Sequence, residues 1–140
     1  MEAVDANVIL RYLVGDNSEQ EAAARSLIDG LTPGNPGFIC REVVIEVAWV
    51  LERSYRLTRS RVAEVLMDLT ASDSLVVENS DDVAAAAHRY RQGGIGLSDL
   101  MILKAAERVG AMPLHTFDRR LARMEGAVPA GHHRSGGESP

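Results

Sequence analysis

A chain of 140 residues fits one domain large enough to bury a real core. Hydrophobic residues at 46% and charged residues at 25% are ordinary for a soluble globular protein. No apolar run approaches the roughly 20 residues that a membrane span needs. The net charge of −5 argues at first against a phosphate-bearing partner. Yet 14 of the 15 basic residues are Arg, the side chain suited to bidentate phosphate contacts. A compositional bias is the favoured reading of that bulk excess, so composition leaves the partner open.

The opening MEAVDANVILRYLV has no basic segment and no small-residue cleavage site, and no signal peptide is expected. The single cysteine, Cys40, cannot form an internal disulfide and fits a reducing cytoplasm, the expected location. Residues 2–5 are predicted to form a short strand, followed by a helix over 6–14. Ser18 and Glu21 make an S-x-x-E capping box, and Ala24, Leu27, Ile28 and Leu31 repeat behind it at helical spacing. Residues 32–37 are a loop by their turn chemistry, and Phe38, Ile39 and Cys40 form the second strand.

A helix over 42–55 comes next, and another from Thr58 places Val62, Val65, Leu66 and Leu69 on one face. Leu75–Val77 is the third strand, and Ser80 is expected to cap a helix that ends at Gly93-Gly94. Ser98 or Asp99 starts a further helix that Gly110 terminates. Met112 to Thr116 forms a fourth strand, Asp118 starts a short last helix, and a weak fifth strand is placed near Ala127-Val128. Short strands separated by helices imply a three-layer α/β/α sandwich with a mainly parallel sheet of four or five strands. Residues 1–130 form this domain. The tail 131–140, with His132 and His133, has no apolar anchor and is predicted to be disordered and solvated.

Three aspartates stand at element boundaries. Asp5 ends the first strand, Asp99 opens a helix, and Asp118 follows the fourth strand. Open parallel sheets bind ligands beyond the carboxyl ends of their strands. Each aspartate also reads as a helix cap, and a residue can be cap and ligand at once. Glu46 is the one carboxylate within the apolar run Val43–Leu51, which predicts a buried helix and a carboxylate needing a partner or cation. A narrow solvent stripe or an Arg partner is the alternative. Glu42, one turn earlier, is a secondary candidate or an exposed first-turn acid. If Asp5, Glu46, Asp99 and Asp118 converge, their charges repel and raise one another's pKa values unless a cation neutralises them. An all-oxygen ligand set selects Mg²⁺ or Mn²⁺ over zinc.

Four segments carry a more specific signal. Asp5-Ala6-Asn7 with its apolar continuation resembles the opening of VapC-type PIN domains, the ribonuclease toxins of toxin–antitoxin pairs. Glu46–Leu51, Ser98-Asp99-Leu100 and Thr116–Arg120 resemble the second, third and fourth acidic motifs of that family, in order and over about residues 3–124. Ala6 departs from the hydroxyl residue of many relatives, and Gly96-Leu97 from an acid followed by Phe.

The resemblance implies a PIN-like fold and a metal-dependent endoribonuclease. It places Asp5, Glu46, Asp99 and Asp118 around one or two metals, with Asn7, Ser98 and Thr116 orienting the carboxylates. Capping and turn formation explain those three polar residues equally well. Arg119 and Arg120 are candidates to hold substrate phosphate, or a solvated helix face. A homodimer, a VapB-like antitoxin and structured RNA are the implied partners. His115 reads as a packed histidine, and Tyr12, Trp49 and Tyr55 as core or interface aromatics rather than a base-stacking platform. Two rivals stand beside this reading. One is a phosphatase-type hydrolase with Asp5 as nucleophile, weakened by Asn7 where a second Asp is wanted. The other is a catalytically silent PIN-like module that binds RNA or a partner.

Overall fold

The computed structural model describes residues 1–15 and 18–131, Ser18 by its backbone alone, so the Ser18 capping box and the tail histidines lie outside the described residues. The elements are β1 (Glu2–Ala3), α1 (Ala6–Val14), α2 (Ser18–Asp29), β2 (Gly37–Ile39), α3 (Arg41–Arg53) and α4 (Arg59–Ala71). They continue as β3 (Leu75–Val77), α5 (Ser80–Arg91), α6 (Leu97–Arg108), β4 (Leu114–Thr116), α7 (Arg119–Ala122) and β5 (Ala127–Pro129). Strand–helix alternation forces parallel pairing, because a parallel partner needs a crossover that a helix supplies. All three strand pairings are parallel: β1 with β2 (Ala3 opposite Phe38), β2 with β3 (Phe38 opposite Val76), and β4 with β5 (His115 opposite Val128). The ladders fall into a three-stranded group, β1-β2-β3, and a two-stranded group, β4-β5.

One hydrophobic core joins the sheet to its helices. Ile39 at the sheet centre, Val47 of α3, Val62 and Leu66 of α4, Ala87 of α5 and Met101 of α6 are all fully buried. Each large aliphatic side chain among them contributes about 1.5–3 kcal/mol by leaving water. On α3 the buried set is Val44, Val47, Ala48 and Leu51, an i, i+3, i+4, i+7 face. That choice decides which residues of α3 remain outside. Glu46 is exposed, so the expectation of a buried carboxylate is corrected: the apolar run covers one face only, and Val43, Ile45 and Val50 on its flanks are half-buried. Trp49 is 58% exposed, so of its two readings, core or interface aromatic, the core one is excluded, while Tyr12 and Tyr55 are half-buried. His115 is exposed rather than packed.

Several boundaries move for local reasons. Cys40 is extended and forms the N-cap of α3 without a side-chain bond, so it is not a strand residue. The first turn of α3 is instead served by Glu78, whose Oε1 accepts from the Arg41 N–H at 2.9 Å. Ser80 is the first helical residue of α5, and the cap is Asn79 in a left-handed conformation. Gly96 caps α6, which makes Leu97 its first residue and puts Asp99 in the first turn instead of at the cap. Asp5 and Asp118 hold as caps, and Thr58, expected as the first residue of its helix, stands one place earlier as the cap. The three accept from the backbone N–H of Ala6, Leu121 and Arg61 respectively. Among the described residues no helix is long and apolar enough to cross a membrane.

Candidate functional site

The carboxyl ends of β1 and β2 lead directly into α1 and α3, and the end of β4 leads into α7. Asp5 stands at the first of these junctions. Its Oδ1 accepts from the Ala6 N–H at 2.6 Å. Asp118 stands at the last and accepts from the Leu121 N–H through Oδ1 at 2.9 Å. Among the described hydrogen bonds each cap uses one carboxylate oxygen, which leaves Oδ2 of each free to accept from or ligate another group. Thr116 Oγ1 accepts from the Asp118 N–H at 3.0 Å and so fixes the backbone on which that carboxylate sits. Asp5 and Asp118 are exposed, as are Asn7, Ser98, Arg119 and Arg120, while Thr116 is half-buried.

Asp99 differs from the other three acids. It is half-buried in the first turn of α6, directly preceding the buried pair Leu100 and Met101. Its carboxyl is pushed above the ordinary Asp range, first by burial and then by the negative charge of Asp118. The positive end of the α6 dipole acts in the opposite sense and does not win. The repulsion brings an acid from α6 and an acid from the β4 end into one electrostatic field. Glu46 and Glu42 stand exposed one turn apart on α3. Among the described residues no three His, Cys, Asp or Glu side chains are close enough together to hold a metal ion. The all-oxygen character of the acids suits Mg²⁺ or Mn²⁺. Asp99 is the acid whose carboxyl a neighbouring acid, Asp118, pushes up.

The loop that delivers Asp99 is fastened by arginines that carry no signal in the sequence. Arg59 Nη1 donates to the carbonyls of Tyr90 (2.8 Å) and Ile95 (2.7 Å), and its guanidinium lies 4.4 Å from the centre of the Tyr90 ring. Arg89 Nη1 donates to the Gly93 carbonyl at 2.8 Å. Gly93 and Gly94 have φ of 88° and 90°, a conformation that favours glycine, so the loop turns sharply into α6. Tyr90 in turn donates to Glu52 of α3, and its hydroxyl is pushed well above its usual range by burial and by that carboxylate. On the other side Arg41 Nη2 donates to the Met101 carbonyl at 2.7 Å, and Nη1 to Asn79 Oδ1 at 3.3 Å. Two arginines therefore tie the α6 helix of Asp99 to α3, α4 and α5.

Two clefts open on the elements that carry the acids, and Asp118 lines the first. One of about 390 Å³ is lined by Thr116, Phe117, Asp118 and Arg119, with Phe117 91% exposed. The other, about 190 Å³, lies between α3 and the start of α6 and is lined by Trp49, Glu52, Arg53, Arg59, Gly96 and Ser98. Asn7 lines a third cleft, between α1 and α2. Trp49 and Arg53 were legible had the exposed stripe of α3 been drawn, because residues 42, 46, 49 and 53 recur at helical spacing.

Comparison with known proteins agrees with this arrangement. The chain is 26% identical over 125 residues to the VapC ribonuclease of Aquifex aeolicus (strain VF5), a match spanning 89% of this chain and 92% of that protein. The PIN domain family model matches residues 3–127, an interval that contains every candidate acid and all five strands, except Glu2 of β1 and the last two residues of β5. The chain belongs to the PIN-domain family.

Proposed function

We propose that this protein is a metal-dependent endoribonuclease that hydrolyses RNA phosphodiester bonds, the toxin of a toxin–antitoxin pair. The observation that carries the reading is the placement of Asp5 and Asp118 at the carboxyl ends of parallel strands, with Asp99 in the first turn of α6, in a chain whose residues 3–127 match the PIN family. Acids at the carboxyl ends of the strands have no use in binding phosphate, which they repel, unless a cation stands between. Asp5, Glu46, Asp99 and Asp118 are the proposed ligands, with Glu42 as a secondary one. Mg²⁺ or Mn²⁺, when bound, supplies acidification of water and neutralisation of phosphate charge.

The chain's own residues do the rest. Asp5 and Asp118 are held by their capping bonds with one oxygen each to spare. Thr116 orients Asp118, and Ser98 and Asn7 serve the neighbouring acids. Arg119 and Arg120, exposed on α7, engage substrate phosphate. The similarity to a VapC ribonuclease supports RNA as substrate, and a VapB-like antitoxin, a homodimer and a cytoplasmic setting are proposed alongside it.

The test is cleavage of structured RNA by purified protein with Mg²⁺ or Mn²⁺ and with EDTA. Asp5→Ala, Glu46→Ala, Asp99→Ala and Asp118→Ala each cut the rate by at least about 100-fold, the scale of one lost transition-state contact, and EDTA abolishes it. Undiminished cleavage by two or more variants of wild-type stability overturns the assignment. A wild type that binds RNA without cutting it supports the silent-module reading instead.

A further inference from the structure

The outer face of α3 carries Glu42, Glu46, Trp49 and Arg53, all four exposed. At about 100° per residue they fall within about 60° of one another, in single file. With a rise of about 1.5 Å per residue, Trp49 stands about 4.5 Å and Arg53 about 10.5 Å beyond Glu46 along the axis. The Arg53 guanidinium lies 5.5 Å from the centre of the Trp49 ring. Both side chains line the cleft of about 190 Å³ that Ser98 closes from the other side, next to Asp99. The indole is 58% exposed, so its ring is available to a partner in the cleft.

The stripe favours one occupant. Two of its four residues are glutamates, a type depleted from the centres of protein–protein interfaces, which leaves Trp49 and Arg53 as its binding pair. A π-face backed by a guanidinium, and in line with the acids, instead matches the alternation of base and phosphate in single-stranded nucleic acid. We infer that Trp49 and Arg53 form a nucleotide subsite beside the acidic group: Trp49 stacks on a base of single-stranded RNA and Arg53 holds the adjoining phosphate. The inference rests on the nuclease reading for its position, but its binding chemistry can be measured without cleavage.

Trp49 is the only tryptophan in the chain, so its emission reports on the subsite alone. A short single-stranded RNA, titrated into the full chain in EDTA at low salt, quenches that emission saturably. Arg53→Gln weakens the binding and lowers its salt dependence by about one phosphate contact. In cleavage assays with metal, Trp49→Ala raises KM about tenfold, equivalent to about 1.4 kcal/mol, with kcat close to wild type. Trp49→Phe restores most of that loss, because a ring is retained. Quenching without any cleavage upholds the subsite and sinks the nuclease reading. Cleavage with no quenching and an unchanged KM in Trp49→Ala overturns the subsite alone. Emission that follows protein concentration and ignores RNA overturns it too, and assigns the face to contact between copies.

Discussion

Replacing Arg59 by Met tests whether the loop before α6 is held in place by one side chain. The substitution removes hydrogen bonds of 2.8 and 2.7 Å to the Tyr90 and Ile95 carbonyls, together with the stack on the Tyr90 ring. A hydrogen bond from a charged donor contributes about 1.5–3 kcal/mol, and a partly exposed cation–π contact about 0.5–1 kcal/mol. Arg59 is half-buried, so the lower half of each range applies, and retained apolar stem contacts offset part of the loss. The expected cost is about 2–4 kcal/mol. At about 3–4 °C per kcal/mol for a domain of this size, the midpoint falls by about 6–16 °C. Arg59→Lys keeps the charge but not the planar fork, and loses about half as much. Arg61, two residues along the same helix and paired with Glu64 on the surface, is the control, and Arg61→Met costs under about 0.5 kcal/mol.

Thermal melting gives these values, and cleavage measured well below the lowest midpoint gives the functional effect. Asp99 begins four residues after the Ile95 carbonyl, and a displacement of about 1 Å can cost on the order of 100-fold in rate. A variant that melts within about 2 °C of wild type refutes the energetic reasoning. A variant that melts low yet cleaves normally when folded shows that Arg59 secures the fold without positioning Asp99.

Two further outcomes follow from the same geometry. Asp99 has a folded pKa raised above its ordinary value, so the folded chain holds its proton more tightly than the unfolded chain. Its contribution to stability is complete below the unfolded pKa and is lost as pH rises through the folded one. Asp99→Asn therefore melts higher than wild type at neutral pH in EDTA, the gap closes as pH falls below the ordinary Asp value of 3.8, and melting curves across pH check it. Met101→Ala empties a fully buried position directly beneath the Asp99 turn and costs about 2–5 kcal/mol by denaturant unfolding.

The sequence shows its fold wherever the determining interaction is local. Asp5 and Asp118 declare themselves as caps because a short polar side chain ahead of an apolar period has one obvious bond to make. The start of α6 was misplaced because Gly96 caps it with no side chain at all. Asn79 was missed because its left-handed conformation is enforced by what surrounds it. Glu46 was expected to be buried because apolar residues flank it on both sides in sequence. Burial on a helix is decided by angle, and the inward set 44, 47, 48 and 51 leaves 42, 46, 49 and 53 outside. The division of the strands into two ladders depends on pairings between distant residues, which no local pattern encodes. The acids were legible as a set through their motifs, but the coupling of Asp99 to Asp118 needed three dimensions.

The arginine excess also takes on a different meaning. Composition alone made a coding bias the favoured explanation. Arg41, Arg59 and Arg89, however, each donate to backbone carbonyls at loop or helix positions around α6, and Arg41 and Arg59 each bridge two acceptors. A guanidinium can do this because its five donors lie in a fixed plane, whereas an ammonium is a compact, strongly hydrated point charge. These three arginines are occupied inside the fold and are unsuited to substrate. The cations left beside the acids are Arg53 on the α3 stripe and Arg119 and Arg120 on α7, all exposed. One stands on α3 and two on α7 at the β4 end, so positive charge accompanies two of the elements that present the acids, even though the chain as a whole is anionic.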